Sequence, residues 1–182
     1  FALCHDGCSV AYSSPSFEGS CLAYFNANFD SKTLVKGPEK DISFIPSAMA
    51  INDNDAKEKR LYCANKQRGG SAIRVFRLDD LEEIGLSPPV ECDGEAISSI
   101  IPVQGKFQKS KEYLFAKTNN YVICWENAGN GKDSAKRIVF TEKCPDCLFT
   151  AGYDRWNNVM MFFGKGTDLC IEAIKDGNRV QM

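Results

Sequence analysis

Short apolar runs separated by polar turns recur along this chain, with little of the three-to-four-residue spacing that marks an amphipathic helix. Four stretches share one pattern of run, turn and run. The first pairs 8–12 with 21–25 across the turn 13–20, and the second pairs 61–64 with 72–78 across 66–70. The third pairs 113–116 with 121–125 across 117–120, and the fourth pairs 159–163 with 169–174 across 164–168. Val, Ile and aromatic residues fill the runs and suit a pleated, half-buried surface. Gly69-Gly70, Asn119-Asn120 and the glycines Gly164 and Gly166 supply the backbone freedom that tight hairpins need. The pattern predicts four β-hairpins and a mainly β protein with little helix.

The hairpins start about every fifty residues, which raises the alternative of a small propeller with one hairpin per blade. The four units share almost nothing beyond a Cys in most of them. The expected architecture is therefore a set of disulfide-stapled hairpins forming a sandwich or barrel, or two small β lobes. Leu78, Leu81 and Ile84 could line two helical turns, stopped by Gly85 and Pro88-Pro89, and 44–51 could form a second short turn-rich segment. Neither is long enough to organise a helical core. The stretch 52–60 has no apolar residue larger than Ala and reads as an exposed loop ending in the dibasic pair Lys59-Arg60, the kind of site secretory proteases cut. A second polar loop, 127–136, suggests an N-terminal disulfide-rich lobe over 1–126 and a C-terminal lobe over 137–182, with a single domain over 1–182 as the other division.

Composition narrows the function classes. The 182 residues are 43% hydrophobic and 25% charged, as in an ordinary globular protein, and 22 basic against 24 acidic residues give a formal charge of −2. That balance offers no general attraction for nucleic acid or an anionic membrane, and no apolar run is long enough to span a bilayer as a helix.

Nine cysteines change the picture more. Cys4, Cys8, Cys21, Cys63, Cys92, Cys124, Cys144, Cys147 and Cys170 are spread over the whole chain. Such density points to disulfides formed during secretion, and the start Phe1-Ala2-Leu3-Cys4 fits a mature chain whose signal peptide has been removed. The odd number allows at most four bridges within the chain and leaves one thiol, expected to be buried as a small hydrophobe. The expectation is that the cysteines staple hairpins, with Cys144 and Cys147 each reaching a separate distant partner. No Asn-x-Ser/Thr site occurs.

Candidate chemistry is thin. His5 is the single histidine, which leaves a Ser/His/Asp triad only one possible base. Cys144-Pro145-Asp146-Cys147 has redox-motif spacing, but no helix pattern follows it, so a structural pair of half-cystines is preferred. Zinc would need a second such pair or a pair of histidines. Asn52-Asp53-Asn54-Asp55 lacks the Gly and Glu of a calcium loop, and Gly129-Asn130-Gly131-Lys132 lacks the upstream Gly of a phosphate loop, Glu126 standing in its place. No metal and no cofactor is expected. Paired carboxylates of the glycosidase kind could be drawn among 24 acidic residues, but nothing singles out a pair. The remaining candidates are aromatics in or beside turns. Tyr153, Arg155 and Trp156 fall in one loop of mixed aromatic and hydrogen-bonding character, and Tyr121 and Trp125 lie beside another.

Cys4-x3-Cys8, Cys21 and the half-cystines scattered through hairpins as far as Cys170 give the chain a layout that resembles small cysteine-rich effectors secreted by plant-pathogenic fungi. These include the dual-domain effectors recognised by plant immune receptors. The resemblance implies two β-rich lobes, the N-terminal one disulfide-stapled, and a role in host interaction. The expected function is that of a secreted, non-enzymatic protein that binds another protein. A carbohydrate-binding module is the first alternative and a secreted hydrolase with paired carboxylates the second.

Overall fold

Each of the four expected hairpins is present, and each forms the central pair of a larger sheet. The computed structural model describes residues 1–3, 9–16, 19–28, 30–53, 59–104, 112–127, 137–145, 148–154, 158–165, 167–175 and 178–182. The first sheet joins β1 (Ala2–Leu3), β2 (Ser9–Ser16), β3 (Gly19–Asn28) and β4 (Thr33–Ile42). The second joins β5 (Met49–Asn52), β6 (Arg60–Gln67), β7 (Gly70–Arg77) and β8 (Glu83–Leu86). The third joins β9 (Ser99–Gln104), β10 (Glu112–Lys117), β11 (Tyr121–Asn127) and β12 (Arg137–Lys143). The fourth joins β13 (Leu148–Tyr153), β14 (Val159–Lys165), β15 (Asp168–Lys175) and β16 (Asn178–Gln181). All pairings are antiparallel between chain neighbours, so every sheet is a plain up-and-down meander.

The first strand of each sheet sits beside the first strand of the next: β1 by β5, β5 by β9, and β9 by β13. Four-stranded meanders with their first strands side by side have the layout of propeller blades, and the sheets are called blades 1 to 4 in chain order; apolar clusters join blade 1 to 2, 2 to 3 and 3 to 4. The fifty-residue recurrence is thus the blade repeat, with two further strands per blade beyond the expected hairpin. The boundary expected between 126 and 137 separates β11 from β12, which pair within one blade.

Blade packing explains why the hairpin strands read as near-continuous apolar runs. Leu61, Cys63 and Phe76 of blade 2 pack with Leu22, Tyr24 and Ile42 of blade 1. Tyr62, Ala64, Ile73 and Val75 face the other way, onto Leu114, Ala116, Ile123 and Trp125 of blade 3. The opposite face of blade 3, with Tyr113, Phe115, Val122 and Cys124, packs on Val159, Met161, Phe163 and Ile174 of blade 4. Successive side chains of a strand point to opposite faces, so a blade covered on both sides needs apolar residues at both parities. The burial of β6 is unbroken from Arg60 to Asn65, and that of β10 from Glu112 to Ala116.

Strand prolines fall where a strand has only one neighbour. Pro102 is on β9, which pairs with β10 alone, and Pro38 is on the outer strand β4. Pro15 lies beyond the two residues of β2 that β1 covers. A missing N–H costs least at such edges. Gly70 closes the β6–β7 turn at φ 123°, and a Cβ there would meet the Val90 carbonyl oxygen at 2.4 Å, so only glycine fits.

Four expectations are corrected. The stretch 78–84 is a turn and not a helix: Leu81 takes φ 55°, Arg77 N–H donates to the Glu82 carbonyl at 2.8 Å, and β8 begins at Glu83. Leu78 and Leu81 recur at helical spacing only because both ends of the turn dip into the core between blades 1 and 2. The segment 44–51 runs through bends into β5. The turn expected at 13–20 is mostly strand, with Ser13 paired to Leu22 and Ser16 to Gly19. The 52–60 stretch is not exposed at its ends: Asn52 and Arg60 are buried partners in adjacent strands, so Arg60 is not presented for cleavage.

The staples are corrected as well. No disulfide joins any of the described cysteines, Cys21, Cys63, Cys92, Cys124, Cys144 and Cys170. Cys63, Cys92 and Cys124 fall in three different apolar clusters, where each fills space as a small hydrophobe. Cys4, Cys8 and Cys147 lie outside the described residues.

One polar cluster is buried between blades 2 and 3. The fully buried Glu112 carboxylate accepts from Asn52 Nδ2 at 2.9 Å, from Arg60 Nη1 at 2.7 Å and from the Tyr62 hydroxyl. Burial, and then the Glu112 charge, push the Tyr62 phenol well above its usual range, so it stays protonated and donates. Removing one member leaves another charge buried without its partner. Glu112→Ala should therefore cost about 3–5 kcal/mol by denaturant unfolding, whereas replacing Arg60 and Glu112 together with apolar residues should recover most of that loss. A cost below about 1 kcal/mol for the single change would show that water reaches the group.

Candidate binding site at the axial mouth

The aromatic residues singled out from the sequence do not assemble. Trp125 is fully buried in the core between blades 2 and 3, its Nε1–H donating to the Pro88 carbonyl at 3.1 Å, so it presents no face to a partner. Tyr121 is half-buried and donates to Asp93 at 2.6 Å, with the Lys143 ammonium 5.9 Å from its ring centroid. Tyr153 packs against the core between blades 3 and 4, and its hydroxyl donates to the Val103 carbonyl at 3.4 Å. Arg155 and Trp156 lie outside the described residues.

The site the fold builds lies elsewhere, where the inner strands begin. Phe1, Met49 and Ser99, at the starts of β1, β5 and β9, line one cavity of about 290 Å³ together with Ser13, Ser47 and Ser98. Three successive inner strands thus open at the same end of the propeller axis. Leu148 begins β13, the first strand of the fourth sheet, and is not among the residues that line this cavity. Phe1 is 83% exposed, Leu148 81%, and Ile45, four residues before β5, is 61% exposed.

Among the described residues no side chain lining the cavity is charged: the wall is made of serine hydroxyls and the side chains of Phe1, Pro46, Ala48, Met49 and Ile100. Ser98 is turned inward, its N–H and hydroxyl both donating to the Lys117 carbonyl at 2.7 and 3.0 Å. The volume is at the small end for ligand pockets, roughly 300–1,000 Å³. The mouth thus combines hydroxyls within and exposed apolar residues around it. Sequence reading missed it because no motif marks it: its members precede short strands and are far apart in the chain.

Two further cavities carry charge. One of about 300 Å³ lies beside the β6–β7 turn and is lined by Lys66, Arg68, Glu91, Cys92 and Glu95. Glu95 is already engaged: its carboxylate accepts from the Asn120 N–H at 2.9 Å and from the Asn120 side chain. The Thr118 hydroxyl first, and then the Asn120 N–H, hold its carboxyl below the usual range. The other cavity, of about 190 Å³, lies between blades 3 and 4 and is lined by Glu142, Cys144, Phe163, Cys170, Glu172 and Arg179, among others. Its two carboxylates share Arg179, whose Nε donates to Glu172 at 2.5 Å and whose Nη1 donates to Glu142. The guanidinium also lies 4.8 and 5.5 Å from the ring centroids of Phe140 and Phe163.

No protein-family model matches the chain, and no curated protein matches it in sequence.

Two outcomes follow. Burial pushes the Cys63 and Cys124 thiols far up, and burial with nearby carboxylates raises Cys92 to about 11. Alkylation of the native protein at neutral pH should leave these three unlabelled, and denaturation without reductant should label all three. Failure to label without reductant would show that they are bridged. Glu95 contributes stability while ionised, and that contribution is lost as pH falls through its lowered folded value, beneath the ordinary 4.5. Glu95→Gln should therefore lower stability at neutral pH and flatten the acid side of the stability–pH curve, as read by thermal unfolding across pH.

Proposed function

We propose that this chain is a non-enzymatic binding protein that receives a protein partner on the axial face where its inner strands begin. The observation that carries the reading is an exposed Phe1 lining a cavity that has no charged side chain among its lining residues, with the exposed Ile45 directly before the lining residue Pro46. Exposed apolar groups gathered at one place, with polar groups among them, are the composition of an interface core and its rim. The carboxylates lining the other described cavities include Glu95, Glu142 and Glu172, all held by protein donors, which favours binding over acid–base chemistry at those places.

Extracellular placement belongs to the same proposal and rests on nine cysteines in 182 residues and on the layout shared with secreted fungal effectors. The unbridged state of six of the nine weighs against it. A second reading, a carbohydrate ligand, is favoured by the hydroxyl-lined cavity beside an exposed Phe1 ring.

The test is a binding experiment on the folded chain against Phe1→Ser and Ile45→Ser, singly and combined. A saturable protein ligand should be held by the parent chain and lost, by tenfold or more, by the double variant that retains its unfolding midpoint. Equal binding by parent and variant would place the interface elsewhere. A glycan array giving signal in place of protein binding would support the second reading.

A further inference from the structure

Blades 2 and 3 are covered on both faces, whereas blade 1 meets only blade 2, and blade 4 only blade 3, in the apolar clusters of the described residues. Directly paired residues of neighbouring strands point to the same side of a sheet, so the register identifies the two faces left over. On blade 4, Phe162 pairs with Ile171, Met160 pairs with Ala173, and Leu148 and Leu169 flank Gly164. These residues alternate with Val159, Met161 and Phe163, which pack on blade 3, so they point away from it. No charged residue stands in those rows of β13, β14 and β15. Leu148 and Leu169 are 81% and 66% exposed, and Phe162 and Ile171 are half-buried and belong to none of the three clusters. On blade 1, the face turned away from blade 2 carries Val10, Tyr12, Ala23 and Phe25, with the Tyr12 and Phe25 rings stacked at 5.6 Å between centroids. Charge on that face is confined to the outer strand, where Lys36 pairs with Phe25, Glu39 with Ala23 and Asp41 with Cys21. An apolar middle with a charged rim is the composition of an interface.

We propose that these two faces are halves of one interface filled by a second copy of this chain: blade 4 of each copy packs on blade 1 of the other, and the pair closes a ring of eight blades. Within the chain, what covers a face of this kind is the next blade, and that packing is already made between blades 1 and 2, 2 and 3, and 3 and 4. The free face of blade 4 continues the series, and the free face of blade 1 is the one that no preceding blade covers. Both are exposed in the same structure, Tyr12 by 37% and Leu169 by 66%, so blade 4 does not cover blade 1 of its own chain. Pairing blade 4 with blade 4 would leave the Tyr12–Phe25 stack open to water, whereas the head-to-tail arrangement covers both faces. It also buries no unpaired charge at its middle: the rows of blade 4 bring none, and Lys36 and Glu39 of blade 1 already pair with each other at the rim. Head-to-tail contacts either close into a ring or run on as a filament. Propellers hold roughly four to eight blades, so two copies complete a ring and a third has no place in it.

Sedimentation velocity of the folded chain over a concentration series tests this, and the expected species is a reversible dimer. Leu169→Glu or Leu148→Glu puts a charge on the free face of blade 4, and Tyr12→Glu puts one on that of blade 1. Each should weaken pairing by roughly tenfold or more. An equimolar mixture of Leu169→Glu with Tyr12→Glu should pair again, because the mixed dimer keeps one seam in which both faces are intact. A parent chain that stays monomeric up to about 100 μM overturns the proposal. So does a Tyr12→Glu chain that dimerises as well as the parent, which marks a contact of blade 4 with blade 4, and so do assemblies larger than two copies. The parent series decides even where a variant folds poorly. It involves no axial ligand, so its outcome is independent of the partner-binding test.

Discussion

The buried carboxylate of Glu112 is the constraint around which the middle of this protein is arranged. It belongs to blade 3, yet the partners described above, Asn52, Arg60 and Tyr62, all belong to blade 2. An ion removed from water costs several kcal/mol unless its lone pairs are met, so blades 2 and 3 can approach in one relative position only. Apolar contacts tolerate sliding; three converging donors do not. The cluster sits at the end of β5, where the apolar packing of Tyr62, Leu114 and Trp125 gives out, and there it sets the register between two sheets that share no strand pairing.

That arrangement also explains what could and could not be read along the chain. The second and third hairpins are conspicuous because blades 2 and 3 are covered on both faces, which demands residues such as Leu61 and Tyr62, or Tyr113 and Leu114, side by side. The inner strands gave no such signal. β1 spans only Ala2–Leu3, β5 only Met49–Asn52, and β9 contains a proline. Each has the axis on one side and one neighbour on the other, so its pattern is neither alternating nor continuous. The outer strands were missed for another reason: β4 is largely exposed, β8 is short and half-buried, and they carry Gly37-Pro38 or Gly85, residues that mark turns in most settings. Gly37 and Pro38 lie where the register of β4 shifts opposite Tyr24. The candidate site depends on the inner strands and inherited their illegibility, whereas Trp125 was legible as an aromatic and misleading as to place.

Arg60 and the cysteines show how a residue type can mislead when its context is tertiary. Arg60 ends a run of charges that looks solvated, but its side chain turns into the interface because a carboxylate waits there from a strand fifty-two positions on. The cysteines look like an oxidised framework, but Cys21, Cys124 and Cys170 each occupy the third strand of a blade, half-buried at Cys21 and Cys170 and fully buried at Cys124. A repeat was present in them; it marked strand position and not connectivity.

The exposed apolar residues differ in physical meaning with their place in the fold. Leu34, Val35, Leu86, Ile138 and Val180 lie on the fourth strands, dispersed around the outside. Charged pairs accompany them there: Lys36 with Glu39 on β4, Arg74 with Glu83 at β8, and Arg179 with Glu142 at β12 and β16. Charges on an outer strand blunt its unpaired edge against association with another sheet, so these apolar groups are ordinary surface. Phe1 and Ile45 are placed differently. They lie just before β1 and β5, at or beside a cavity lined by no charged side chain, so approach of an apolar partner there would break no side-chain ion pair of the lining. Desolvation is cheap there, and that difference, more than the count of apolar residues, is what supports the interface proposed for this face.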